Sequence, residues 1–148
     1  MSNQLAHSLL ATLHACHFEV EDHAIWLGMA YDFGGESQQR TYLETSRVDD
    51  ELRAEIRSTL EVDHGSGVDQ AFSIRLLLYF DPANARVESF IEAHLGVAIG
   101  DYQPGTHVLY QHRTENLDPE GALRAAREHV QALVEIDDYP ETLGLSRR

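Results

Sequence analysis

The sequence predicts an α+β fold: an antiparallel β-sheet with helices packed on one face, in the order helix, strands, helix, strands, helix. Three observations lead there. Apolar residues recur at helical spacing near both ends of the chain, and segments between them alternate apolar and polar with period 2. The alternating segments are joined by tight-turn signals, not by helical crossovers, which favours antiparallel pairing.

Leu5, Leu9, Leu10, Leu13 and Cys16 form the stripe of a first helix over about residues 4–16, with Ser2 or Asn3 as its N-cap. Ile25, Leu27, Met29, Tyr31 and Phe33 then alternate up to Gly34-Gly35, which predicts a strand entering a turn, with Thr41–Thr45 as the return strand. Leu52, Ile56 and Leu60 are spaced by four behind the acidic Asp49-Asp50-Glu51, the pattern of a helix over 49–61. His64-Gly65-Ser66-Gly67 reads as a loop. Phe72–Phe80 is a strand whose second face, through Leu77 and Tyr79, is apolar too.

Asp81-Pro82 opens a short predicted helix with the stripe Val87, Phe90, Ile91, His94 and Leu95 and a stop at Gly96. Val97–Ile99 and Thr106–Tyr110 flank the turn Tyr102-Gln103-Pro104-Gly105 as a second hairpin. Asp118-Pro119 starts the last helix, over 118–138, with Leu123, Ala126, Val130, Leu133 and Val134 on one side. No repeat or interdomain linker interrupts residues 1–148, so one domain is expected, its sheet burying the Ile25, Leu27, Met29 and Phe72, Ile74, Leu76 stripes.

Composition narrows the function classes. The 148 residues are 43% hydrophobic and 24% charged, with 25 acids against 11 bases and a formal net charge of −14. Every base is an arginine. A field of that sign repels nucleic acid and anionic membrane surfaces, so neither is an expected partner. No apolar run approaches the roughly 20 residues that span a bilayer. The first residues lack a basic stretch followed by a long apolar core, and a single cysteine forms no internal disulfide, so a cytoplasmic protein is expected.

Chemistry-bearing residues are present without a specific motif. His14, Cys16, His17 and His23 are the tightest group of possible metal ligands or nucleophiles, and a small metal- or cysteine-dependent enzyme centred on them is the alternative reading. Cys16 lies off the face shared by His14 and His17, and no H-E-x-x-H or Cys-x-x-Cys spacing occurs, so surface histidines and a buried cysteine are the plainer account. Ser66 lacks the G-x-S-x-G context of a nucleophile elbow. The acidic neighbours Glu19/Glu21 and Asp137/Asp138 read as solvated surface. No catalytic residue, metal site or cofactor is therefore predicted.

The outward apolar residues are the more informative feature. Period-2 geometry sets Trp26 opposite Ile25 and Leu27, and sets Leu77 and Tyr79 opposite Ile74 and Leu76. Trp26, Leu77 and Tyr79, with Tyr110, are the predicted protein-binding residues, converging if their strands are neighbours. The alternative is that the 49–61 segment or a loop covers them within the monomer. Because strand 72–80 is apolar on both faces, a homodimer is expected.

The run Phe90-Ile91-Glu-Ala-His-Leu95-Gly-Val-Ala-Ile-Gly-Asp-Tyr102, then His107-Val108-Leu109-Tyr110-Gln-His-Arg113, then Leu117-Asp-Pro-Glu120 through Ile136-Asp-Asp-Tyr139-Pro140 to Leu143, resembles YbjN-like proteins and the wider type III secretion chaperone-like fold. There a short helix, a hairpin and a last helix recur in this order. The resemblance covers roughly residues 70–145 in pattern, while the amino half agrees in layout only and the 49–61 segment reads as an insertion or a replaced strand. It implies a small, acidic, often dimeric α+β domain that binds protein segments and has no catalytic residues.

Overall fold

The computed structural model describes residues 2–32, 37–63, 68–81, 83–97, 105–142 and 144–148. The predicted turns at Gly34-Gly35 and 102–104, the loop at 64–67 and Pro82 lie outside them.

Chain order is a long helix α1 (Asn3–Ala30), a two-residue strand β1 (Tyr31–Asp32), five long strands β2 (Ser37–Val48), β3 (Glu51–Asp63), β4 (Val68–Phe80), β5 (Ala85–Val97) and β6 (Gly105–Leu117), then α2 (Pro119–Glu135), a single turn α3 (Tyr139–Thr142) and β7 (Ser146–Arg147). The five long strands form one antiparallel meander in the order β2-β3-β4-β5-β6. The α+β class and the one-sided helix packing are as predicted, as are strands at 41–45, 72–80 and 106–110 and the last helix. The order is corrected to helix, strands, helix.

Three element assignments change, each for the same kind of reason. The predicted strand 25–33 is helix through Ala30, as the last part of α1, and strand only at Tyr31–Asp32, with Phe33 outside the described residues. Its alternation splits into two pairs at helical spacing: Leu27 and Tyr31 point into the core while Ile25 and Met29 point out. The predicted helix 49–61 is β3. Spacing by four satisfies period 2 as well as period 3.6, and the full set of buried residues is Ala54, Ile56, Ser58 and Leu60, alternating with Arg53, Glu55, Arg57 and Thr59. The predicted helix from Asp81 to Gly96 is β5, in which Ala85, Val87, Ser89, Ile91 and Ala93 alternate inward. The short helix in the layout that resembles the chaperone-like family is therefore a strand here.

Local chemistry sets the ends of these elements. Ser2 caps α1, its Oγ accepting from the Leu5 N–H at 3.1 Å. Asp118 caps α2 the same way, accepting from the Gly121 N–H at 2.7 Å, and a Cβ on Gly121 would come within 2.6 Å of that carboxylate. The β2–β3 hairpin closes in two residues, with Asp49 at φ +54°, the left-handed geometry tight hairpins use. Asn116, at φ +59°, sits beside a register shift between β5 and β6.

α1 packs on β2 and β3, and α2 on β4, β5 and β6. Both helices lie on one face of the sheet, side by side and pointing the same way: the Gln131 amide donates to Glu19 at 3.1 Å, and both N-termini border one depression. Leu9, Leu13, Cys16, Val20 and Leu27 of α1 and Val130 and Leu133 of α2 meet Ile56, Leu60, Phe72, Ile74, Leu76, Val87 and Ile91 of the sheet. Each such aliphatic or aromatic side chain contributes roughly 1.5–3 kcal/mol when fully buried. The C-terminus is tied to the end of α1 through the β1–β7 pair and the buried Tyr31, whose hydroxyl donates to the Asp137 carbonyl at 2.7 Å. Among the described residues no helix is long and apolar enough to cross a membrane.

Candidate functional site

The predicted binding residues do not converge. Trp26 lies on α1, half-exposed and stacked on His23 with ring centroids 6.1 Å apart, on the helix side of the sheet. Leu77 and Tyr79 lie on the opposite, open face of β4. Tyr110 pairs with the buried Ile91 and packs against the core from the helix side. Only Leu77 and Tyr79 are neighbours, so the predicted four-residue patch resolves into two separate surfaces.

The first surface is the outer side of α1. Core-facing Leu9, Leu13, Cys16, Val20, Ala24 and Leu27 occupy one side of this 28-residue helix. Phe18, Ile25 and Met29, at offsets of 7 and 11, stand on the other side with 60%, 43% and 64% of their surface exposed, and Leu10 lies about two turns ahead of Phe18 at 55%. Trp26 borders this stripe. The exposed Asp22, four residues after Phe18 and three before Ile25, lies within this stripe, and Glu19 and Glu21 flank it. A helix ending at 16 leaves Phe18 out of any stripe, and its spacing to Ile25 and Met29 shows only once the helix continues; Leu10, expected on the core-side stripe, is instead exposed, because that side is taken by Leu9 and Leu13.

The second surface is the open face of the sheet. Cross-strand register sets Glu44, Glu55, Leu77, Glu88 and Arg113 in one row and Tyr42, Arg57, Arg75, Phe90 and Gln111 in the next. Arg75 bridges Glu55 at 3.0 Å and Glu92 at 2.7 Å and lies 5.5 Å from the centre of the Phe90 ring. Burial alone would lower the pKa of its guanidinium, but the hydrogen bonds to Glu92 and Glu55 raise it above the ordinary arginine value. Arg86 stacks 3.7 Å from the Tyr79 ring centre, with Arg53 on the same ring at 5.6 Å. Arg113 and Arg86 reach Glu88 at 3.3 and 3.6 Å. A shallow hollow of about 270 Å³ opens among Glu44, Arg53, Glu55, Arg75, Leu77 and Tyr79.

The histidine and cysteine group of the alternative reading is dispersed. Cys16 and His23 are buried on the core side of α1, while His14 is exposed on its outer side. Burial and the Glu19 carboxylate push the Cys16 thiol up to about 11, which keeps it protonated and poorly nucleophilic. Among the described residues no three His, Cys, Asp or Glu side chains gather as metal ligands do. A different histidine, His129 of α2, is the buried one with two hydroxyl partners, Ser89 and Thr114. Ser89 is fully buried, so this group has no access for a substrate.

No family model matches the chain, and no curated protein matches it.

Proposed function

We propose that the protein is a non-enzymatic, cytoplasmic protein-binding module that works as a homodimer and holds an amphipathic segment of a partner along the outer stripe of α1. The observation that carries this reading is the apolar stripe of Phe18, Ile25 and Met29 on the side of α1 away from its core contacts, where a helix at a protein surface ordinarily carries polar residues. Carboxylates at Glu19 and Glu21 beside the stripe, and at Asp22 within it, favour a segment that carries basic residues at its flanks. Segment binding is the class of activity that the resemblance to YbjN-like and type III secretion chaperone-like proteins implies. The reading itself rests on the helix surface.

Trp26, the single tryptophan, borders the stripe and serves as the reporter. Titrating the full chain with a synthetic amphipathic Leu/Lys peptide is expected to give a saturable change in Trp26 emission. A Phe18→Ser, Met29→Ser double variant is expected to bind at least about tenfold more weakly. No saturable binding, or equal binding by wild type and variant, would overturn the assignment. Equal affinity for a Leu/Glu peptide would overturn the preference for basic flanks.

A further inference from the structure

We infer that the open face of the sheet is where the second copy of the chain sits, two sheets meeting face to face about a two-fold axis. This rests on the homodimer of the proposed function and assigns its surface. Among the described side chains this face carries six of the eleven arginines, Arg40, Arg53, Arg57, Arg75, Arg86 and Arg113. It carries seven carboxylates: five pair with these arginines, Glu51, Glu55, Glu88, Glu92 and Glu115, and Glu44 and Glu61 complete the set. Among these described side chains the face is within one charge of neutral on a chain of net charge −14, so most of the excess negative charge lies elsewhere. Two such chains repel one another in most orientations, and this face is a broad surface on which they meet without that repulsion.

The face is also self-complementary. Arginine and glutamate alternate along β3, as Arg53, Glu55 and Arg57, and along β5, as Arg86 and Glu88. A two-fold operation sets cations of one copy near carboxylates of the other. Leu77, Tyr79 and Phe90 supply apolar contact between these rows, and the Arg86 guanidinium already lies 3.7 Å from the centre of the Tyr79 ring.

Area suffices. Five strands of 12 or 13 residues, at about 3.3 Å per residue and about 4.8 Å between strands, make a face of roughly 1,000 Å². A stable interface needs about 800 Å² per partner. α1 offers a narrower stripe with Asp22 within it and Glu19 and Glu21 beside it, which two copies would bring together as like charges. The second copy therefore belongs on the sheet and the basic-flanked segment on the helix.

Sedimentation equilibrium of the full chain at micromolar concentrations tests this, with Leu77→Glu and Tyr42→Glu as separate variants and far-UV circular dichroism as the check on folding. Leu77→Glu sets a third carboxylate between Glu55 and Glu88, and Tyr42→Glu adds one at the exposed edge strand, where folding tolerates it. The wild type is expected at twice the 16.7 kDa chain mass, and each folded variant is expected to dissociate at least about tenfold more readily. A wild-type monomer overturns both the inference and the homodimer, leaving segment binding at α1 to stand or fall on the peptide titration. A dimer unmoved by both variants, or one dissolved by Phe18→Ser and Met29→Ser, overturns the sheet face alone.

Discussion

His129 stands where α2 meets β5 and β6, its Nδ1 2.8 Å from Ser89 Oγ, its Nε2 2.8 Å from Thr114 Oγ1, and its ring stacked 4.5 Å from that of His112. Burial, and then the neighbouring His112, lower its pKa to about 4 from the ordinary 6.5. Between those values the unfolded chain binds more protons than the folded one, so the contribution of the neutral ring is complete above pH 6.5 and is lost as the pH falls towards 4. The loss amounts to about 3 kcal/mol. His23, also lowered by burial, acts in the same direction. Urea unfolding at a series of pH values should show the decline, and His129→Gln should flatten it over this interval; an unchanged slope would contradict the assignment. Cys16 gives a second residue-scale test: with its pKa pushed up to about 11, the native thiol should react with a disulfide reagent at pH 8 roughly a hundredfold more slowly than the unfolded thiol.

α1 illustrates how an element distributes consequences among neighbouring residues. Leu27 is fully buried, and Leu27→Ala should cost about 2–5 kcal/mol through the lost transfer energy and the cavity it leaves. Trp26, one residue away, has 40% of its surface exposed and rests on His23, so Trp26→Ala should cost only about 1 kcal/mol. Thermal or chemical unfolding of the two variants separates them, and a Trp26→Ala loss as large as that of Leu27→Ala would place Trp26 in the core. On α2, Asp118→Ala removes the oxygen that satisfies the Gly121 N–H and should cost about 1 kcal/mol, measured the same way.

For the whole molecule, most of the excess negative charge lies off the open face, and the ion pairs on that face are partly exposed and individually worth little. Self-repulsion should therefore dominate the response to salt. Raising ionic strength from about 0.01 M to about 0.1 M shortens the screening length from about 30 Å to about 10 Å and should raise the thermal midpoint. A fall in the midpoint would mean that the Arg/Glu lattice contributes more to stability than its exposure suggests.

Local chemistry and composition were legible in the sequence by itself. The caps at Ser2 and Asp118, the strands around 41–45, 72–80 and 106–110, the terminal helix, the α+β class and the acidic balance depend on residue type and short-range spacing, which the chain carries directly. Tertiary structure decided what spacing alone left degenerate. Leu52, Ile56 and Leu60 suit a helix and a strand equally, and pairing with β2 and β4 resolves them as β3. Ile25, Leu27 and Met29 suit a strand as well as two sides of a helix, and the continuation of α1 to Ala30 against the sheet resolves them as helix, with Tyr31 starting β1. The partner surfaces followed from those choices. Once 25–30 winds as helix, Trp26 goes to the helix layer and Leu77 and Tyr79 to the open sheet, because the two sides of a sheet are separated by its full thickness and no side chain crosses it.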